Sequence, residues 1–117
     1  MPHKVDGTCR AFQTAVDVLA RPWSALLLNA LQPGPTRFSE LAAATRGVTD
    51  KILSARLKEL EARGLVVRSV DAGPPVRVAY ELTEAGRAFD RVARAIETWG
   101  QTLEAPARHE RSARRRA

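Results

Sequence analysis

The thiol of Cys9 is the one sulfhydryl in this 117-residue sequence, and its setting suggests redox or electrophile chemistry. Cys9 lies beside Arg10 at the expected N-terminus of a helix, where the helix dipole and a guanidinium both favour a reactive thiolate. The alternative role for such a residue is that of a small, buried and inert apolar side chain. With a single cysteine, a disulfide would have to join two subunits or a small thiol.

The remaining residues offer little for catalysis, metal binding or cofactor binding. The histidines, His3 and His109, lie near the chain ends, and neither a phosphate-cradling glycine motif nor zinc-ligand spacing occurs. We therefore expect no catalytic residue, no metal and no cofactor. The sequence also lacks both an export leader and an apolar run of the roughly 18 residues that cross a bilayer, which predicts a cytoplasmic protein without membrane contact.

Basic residues dominate the charge and indicate a polyanionic partner. Nineteen Lys and Arg against thirteen Asp and Glu give a formal net charge of +6, and the isoelectric point of about 10.7 is typical of nucleic-acid-binding domains. Residues 106–117 are rich in arginine and lack apolar periodicity, which predicts a disordered basic tail after one domain over residues 1–105. The sequence has few aromatic residues, and most of them are expected in the core. Binding of single strands relies on exposed aromatic side chains that stack on bases, so duplex DNA is the favoured partner.

Apolar residues that recur every three to four positions predict the first three helices. The first contains Phe12 and Val16, and the second has Pro22 in its first turn, followed by Trp23. Thr36 is expected to cap a third helix of about two turns. Trp23 continues an apolar stripe, so packing is a better explanation for it than ligand stacking.

A fourth, longer helix and a hairpin follow the third helix. Thr49 is expected to cap the fourth helix, whose buried side is marked by Leu53, Leu57 and Leu60. Residues 65–70 and 76–82 are rich in valine or alternate in polarity, so both are predicted strands, joined by turn formers at 71–75. A short helix, a tight turn, a longer helix and then a hairpin is the pattern of a winged helix-turn-helix.

A last helix, expected to be capped by Thr83, carries an apolar stripe longer than a small domain needs. We expect this stripe and the first helix to be buried against a second copy of the chain. The predicted fold is α+β and mainly helical, a winged helix-turn-helix with flanking N- and C-terminal dimerisation helices. The expected dimer-interface residues are Phe12, Val16, Phe89, Val92, Ile96, Trp99 and Leu103.

The motifs resemble the HxlR family of bacterial winged-helix regulators over roughly Cys9 to Trp99. The matching segments are Cys9 ahead of a helix and Trp23, RFSEL at 37–41, LSARLKELEARGLVVR at 53–68, PVRVAY at 75–80 and LTEAG at 82–86. The resemblance implies a dimeric regulator with its first and last helices at the interface. Some relatives sense oxidants, quinones or aldehydes through a cysteine at this position, which would make Cys9 the reactive group.

Three positions depart from the family pattern. Arg10 stands where the family usually has proline, Ala55 where a basic residue is common on the recognition helix, and Ala79 where glutamate is frequent in the second wing strand. Arg10 and Ala79 leave the fold prediction intact. The base preference of the family does not carry over at Ala55.

The predicted DNA-binding surface combines base-reading and phosphate-binding residues. The first turns of the fourth helix should meet base edges, the start of the third helix should bind phosphate, and the hairpin should grip the flanking backbone or minor groove, with Arg77 the favoured minor-groove residue. For any single basic residue, a solvated surface role is about equally expected. The residues are Thr36, Arg37, Thr49, Lys51, Ile52, Ser54, Ala55, Arg56, Arg68 and Arg77.

The sequence thus predicts a homodimeric, sequence-specific transcriptional regulator on a pseudo-palindromic operator, acting as a repressor that responds to an oxidant, an electrophile or another small molecule. An apolar effector would bind near Trp23, Leu27, Ile96 and Trp99. The competing interpretation is a nonspecific architectural DNA-binding protein whose affinity comes from the arginine tail.

Overall fold

A computed structural model of the chain describes residues 9–104. The predicted basic tail at 106–117 lies outside the described residues. No helix within 9–104 has the length and apolar character needed to cross a membrane. The elements in chain order are α1 (Arg10–Ala20), α2 (Ser24–Ala30), β1 (Thr36–Arg37), α3 (Phe38–Ala44), α4 (Asp50–Ala62), β2 (Val66–Asp71), β3 (Arg77–Leu82), α5 (Glu84–Arg87) and α6 (Phe89–Leu103).

A leucine core lies where α2, α3, α4 and the sheet meet. Leu53, Leu57 and Leu60 fall on one side of α4 at helical spacing and are buried as predicted. Each leucine taken fully out of water contributes roughly 1.5–3 kcal/mol, so this cluster fixes α4 against the rest of the domain. The buried apolar residues are Leu27, Leu28, Leu31, Leu41, Leu53, Leu57, Leu60, Val66, Tyr80 and Leu82.

The connection from α3 to α4 is a tight turn held by threonines. Thr45, at the end of α3, is buried and its hydroxyl donates to the Leu41 carbonyl at 2.7 Å. Gly47 takes a positive φ of 91°, a conformation that glycine adopts without a side-chain clash. The Thr49 hydroxyl then accepts a hydrogen bond from the Ile52 amide at 3.2 Å, which confirms the predicted cap of α4.

Loss of this cap gives a first prediction. Thr49→Ala removes the acceptor for the Ile52 amide and should cost about 1 kcal/mol of unfolding free energy, which lowers Tm by roughly 4–8 °C for a domain of this size. Thr49→Ser keeps a hydroxyl at the cap and serves as the control. Thermal unfolding followed by circular dichroism measures both variants, and equal Tm values for the two would show that the cap contributes nothing.

The sheet is antiparallel with the strand order β1-β3-β2. Tyr80 of β3 lies opposite Thr36 of β1 on one side and Arg68 of β2 on the other. The β2–β3 pair is the predicted hairpin, shifted by one residue at its bounds, and residues 72–76 form its tip. The sheet order brings β1, at the entrance to α3, next to the hairpin strand that carries Arg77.

Three local predictions differ from the structure. Helix α2 begins at Ser24 rather than Pro22, because Trp23 has a left-handed backbone with φ 72° and serves as the N-cap. Thr36 does not cap α3, because it lies in β1 and pairs with Tyr80 in the sheet. Its hydroxyl donates to the Gly34 carbonyl at 2.9 Å. Thr83 caps the short α5 instead of one long helix.

Candidate nucleic-acid interface

The first two turns of α4 present a surface of small, polar and basic side chains. Lys51, Ile52, Ser54 and Ala55 are all exposed, because burial of the leucines on the opposite side of the helix turns these positions outward. Their arrangement agrees with the face that helical periodicity indicates. A side chain on this surface can meet a neighbouring molecule without displacing any part of the core.

A cleft of about 460 Å³ separates this helix from the hairpin. Arginines reach it from different elements: Arg37 from the entrance to α3, Arg68 from β2 and Arg77 from β3. Ser39 of α3 and Ser54 of α4 complete the polar lining. The cleft therefore combines guanidinium groups, which form paired hydrogen bonds to phosphate oxygens, with hydroxyl donors. Phe38, Val76, Val78 and Tyr80 form its apolar lining.

The cleft arginines keep their positive charge available. Within residues 9–104, none of Arg37, Arg68 and Arg77 forms an ion pair with a carboxylate. Asp71 lies directly opposite Arg77 in the hairpin and does not pair with it. Its carboxylate instead accepts a hydrogen bond from the Gly73 amide at 3.1 Å, within the hairpin tip. A cluster of unneutralised guanidinium groups raises the local positive potential and attracts a polyanion.

The remaining predicted phosphate ligand, Thr36, is used locally. Its side chain is partly buried and bonded to the Gly34 carbonyl, as described above, whereas Arg37 is exposed at the N-cap of α3. The Arg37 amide donates to the Glu40 carboxylate at 3.4 Å, and the Arg37 side chain lines the cleft. Of this predicted pair, Arg37 is the residue that the structure brings to the cleft.

Arg56, which the sequence places on the predicted DNA-binding surface, is not a free side chain. Its side chain is only 19% exposed and its Nη1 donates to Glu59 Oε1 at 2.7 Å. The same Oε1 accepts from Arg21 Nη2 at 2.8 Å, and Arg21 Nε donates to Oε2 at 3.2 Å. Glu59 therefore links the end of α1 to α4 and pairs with Arg56.

This network shifts the acid–base properties of its members. Hydrogen bonding to Arg21 holds the pKa of the Glu59 carboxyl below its ordinary value, although partial desolvation opposes the shift, and the positive charges of Arg21 and Arg56 add to it. The hydrogen bond to Glu59 correspondingly raises the pKa of Arg21. Because the carboxyl pKa is lower in the folded chain, the network stabilises the fold at neutral pH and loses that effect as pH falls through the lowered value.

Apolar residues on α1 and α6 form a second exposed surface. No residue of either helix is buried in the core, and both helices pack on α2. Six of the seven predicted interface residues are exposed: Phe12, Val16, Val92, Ile96, Trp99 and Leu103. Phe89 differs, because it packs partly against the leucine core.

The predicted effector residues occupy separate environments. Cys9 is partly exposed at the N-cap of α1, where its carbonyl accepts from the Gln13 amide at 3.0 Å. Of the residues suggested for an apolar effector, Leu27 is fully buried in the core, whereas Trp23, Ile96 and Trp99 are exposed. The structure therefore removes Leu27 from that group.

Sequence reasoning missed Ser39 and the Arg21–Glu59 pair. Ser39 carried a usable signal, because it follows Arg37 by two positions at the start of a helix, where hydroxyl groups often meet anions. The pair had no such signal. Its members are 38 positions apart, and only the tertiary fold brings the end of α1 close to α4.

The helix-turn-helix and the hairpin beside it define a winged helix-turn-helix protein, and the arginines between them are unpaired within residues 9–104. Comparison with known proteins identifies the family. The family model described as HxlR-like helix-turn-helix matches residues 18–108. The chain belongs to this family, and it is a transcriptional regulator of the winged-helix type.

Individual relatives support this assignment. The chain is 43% identical over 91 residues to YvaP, an uncharacterised HTH-type transcriptional regulator of Bacillus subtilis, a match covering 78% of this chain and 84% of the relative. The reduced transcriptional regulator YodB of B. subtilis superposes with a TM-score of 0.76 at 34% identity, covering 85% and 97% of the two chains. The reduced redox regulator HypR gives a TM-score of 0.77 at 29% identity, covering 85% and 98%.

Proposed function

We propose that the chain is a sequence-specific repressor that binds duplex DNA as a homodimer. The observation that carries this proposal is the cleft between α4 and the hairpin, into which Arg37, Arg68 and Arg77 project without carboxylate partners among the described residues. A phosphodiester strand supplies the anionic oxygens that these groups need. One strand held there would bring the start of α4 against the adjoining major groove.

Base reading then falls to the exposed first turns of α4. Ser54 can donate to a base or a phosphate, while Ile52 and Ala55 offer apolar contact to a thymine methyl group. Lys51 lies one position after the first helical residue, close to the positive end of the helix dipole. Thr49 fixes the helix start by accepting from the Ile52 amide, and its exposed hydroxyl keeps its own hydrogen for donation to a phosphate.

A salt-titrated gel shift tests specific binding. The full chain is compared on its own upstream intergenic DNA and on a shuffled duplex of equal length, and a preference of ~10³ or more supports a specific regulator. A chain ending at residue 105 separates this function from architectural binding. A specific regulator keeps its operator preference without the tail, while an architectural protein driven by tail arginines binds both probes equally and loses most of its affinity.

The exposed apolar stripes on α1 and α6 support the proposed dimer. A helix of 15 residues with an unburied apolar stripe needs a partner surface, and a second copy offers a matching one. Two-fold symmetry would place two recognition helices about one turn of DNA apart, on a pseudo-palindromic site.

The proposed inducer is an oxidant or an electrophile that reacts at Cys9. Structures of the neighbour YodB include a diamide-treated and a quinone-bound form, and HypR has been solved both reduced and oxidised. Cys9 of this chain is partly exposed at the start of α1, the helix that carries part of the apolar stripe. A modification there can therefore be transmitted to the dimer surface.

Cys9→Ser tests the inducer site. The variant should bind DNA like the wild type but should no longer release it on treatment with diamide or a quinone, because serine lacks the thiolate that attacks these reagents. Gel shifts with and without reagent measure the response, and Cys9→Ala provides a second variant without a hydroxyl. Release of DNA by both variants at wild-type reagent concentrations would assign Cys9 a purely structural role.

A further inference from the structure

Arg56, the arginine in the middle of α4, is occupied by a neighbour on the same helix. We propose that Glu59 withholds Arg56 from nucleic acid and thereby limits the sequence-independent affinity of the chain for duplex DNA. This inference rests on the proposed function. It assigns Glu59 the role of a positioning residue, since the carboxylate acts through Arg56 and does not contact DNA itself.

The geometry of the carboxylate supports this role. Arg21 binds Glu59 with a two-pronged contact, through Nη2 to Oε1 at 2.8 Å and through Nε to Oε2 at 3.2 Å. This contact anchors the carboxylate at the junction of α1 and α2, and Oε1 also accepts from Arg56 at 2.7 Å. The acceptor for Arg56 is therefore held by a second element, which makes it a fixed partner rather than a mobile surface charge.

The environment of Arg56 shows that its present arrangement is incomplete. Its side chain is largely covered, and its Nε is buried without a hydrogen-bond acceptor among residues 9–104. An unpaired buried donor is unfavourable. Among residues 9–104 the Arg56 guanidinium has Glu59 as its hydrogen-bond acceptor, so another anion could bind this group once Glu59 is neutral.

The position of Arg56 directs a released side chain towards DNA. Arg56 lies one helical turn after Ile52, whose exposed side chain belongs to the surface proposed to meet bases. Long helical side chains lean towards the helix N-terminus, which for α4 is the DNA-facing end. Arg21, the other partner of Glu59, lies outside α4, just beyond the end of α1. Its release is therefore not expected to add a phosphate contact. Loss of Glu59 should therefore add one phosphate-binding group per subunit.

The consequence concerns competition among DNA sites. Sequence-independent binding grows with the number of phosphates that Lys and Arg neutralise. An arginine already paired with a carboxylate adds nothing to this term. Because a genome offers on the order of 10⁶–10⁹ competing sites, a regulator gains from keeping the sequence-independent term low.

Glu59→Gln against Glu61→Gln is the matched test. Both substitutions remove one negative charge from α4, but Glu61 forms no ion pair within the described part of the chain. Affinity for a shuffled duplex is measured against salt, and elution from heparin provides a second polyanion. Glu59→Gln should bind the duplex several-fold more tightly than Glu61→Gln, with a plot of log K against log salt steeper by about 0.9 per subunit.

Two further variants make the outcome decisive. Arg56→Gln alone should keep the wild-type salt slope, because its charge is already withheld, and the double variant Glu59→Gln/Arg56→Gln should return to the Glu61→Gln slope. Equal slopes for Glu59→Gln and Glu61→Gln, or a gain that persists in the double variant, would overturn the proposal. A slope reduced by about 0.9 in Arg56→Gln would overturn it independently of how well Glu59→Gln folds.

The same measurements separate this proposal from the proposed function. Shuffled duplex and heparin report on the sequence-independent term alone, so they decide the role of Glu59 even if the chain shows no operator preference. Absence of that preference would contradict the specific regulator and would leave the comparison of Glu59→Gln with Glu61→Gln intact.

Discussion

Replacement of Arg37, Arg68 and Arg77 together by glutamine should lower the affinity of each subunit for its half-site by roughly 10²–10³-fold at physiological salt. Each guanidinium is unpaired within residues 9–104 and lines the same cleft, so each can make a charge-assisted hydrogen bond to phosphate. At about 1–1.5 kcal/mol for each such bond, the loss amounts to about 3–4.5 kcal/mol. The slope of log K against log salt should fall by about 0.9 for each phosphate contact removed.

A second triple variant controls for the loss of net charge. Arg10, Arg63 and Arg91 are exposed, lie outside the cleft and form no ion pair within residues 9–104, so their replacement by glutamine removes the same positive charge without touching the cleft. This control should lose affinity only modestly, through weaker long-range attraction. Equal losses for the two triple variants would show that the cleft is not a phosphate site and that general basicity drives binding.

Single substitutions of these arginines would also show whether the hairpin binds the DNA backbone or the minor groove. The sequence suggested Arg77 as a minor-groove residue, whereas the structure places it beside Arg37 and Arg68 in one cleft. If the arginines bind a single stretch of backbone, pairs of single substitutions will be non-additive, since loss of one contact shifts the strand away from the others. Additive losses would instead fit independent contacts, with Arg77 in the minor groove.

The architecture was largely predictable because its signals are local. Leucines at helical spacing placed α4, Thr49 marked its start and valine-rich segments separated by Gly and Pro placed the hairpin. Family resemblance added the order of the elements. The errors arose where tertiary contacts overrode local preference, as at Thr36, whose pairing with Tyr80 makes it a strand residue instead of a helix cap.

The site was less predictable because its electrostatics depend on distant pairs. Helical periodicity correctly predicted that Lys51 and Ser54 are exposed. It could not show that Arg56 forms an ion pair with Glu59, or that Arg21 binds the same carboxylate from 38 positions away. Which arginines are free therefore depends on packing. The sequence supplied the basic residues, and the fold selected Arg37, Arg68 and Arg77 for the cleft.

Trp99→Glu should convert the proposed dimer to a monomer and lower operator affinity by a factor on the order of 10²–10⁴, because two half-sites would no longer be bound together. Trp99 is 65% exposed in the single chain and α6 buries no residue in the core, so the substitution should leave the domain folded. In a dimer the same position would be covered by apolar residues. A carboxylate placed there without a partner is strongly unfavourable.

Thr98→Glu is the matched control for this variant. Thr98 neighbours Trp99 on α6 but lies on the opposite side of the helix from the apolar stripe, so it receives the same charge outside the proposed interface. Light scattering should give about twice the chain mass of 12.8 kDa for the wild type and Thr98→Glu, and a single chain mass for Trp99→Glu. A wild-type monomer would contradict the dimer itself. A Trp99→Glu dimer would instead place the interface elsewhere, and α6 would then need another partner.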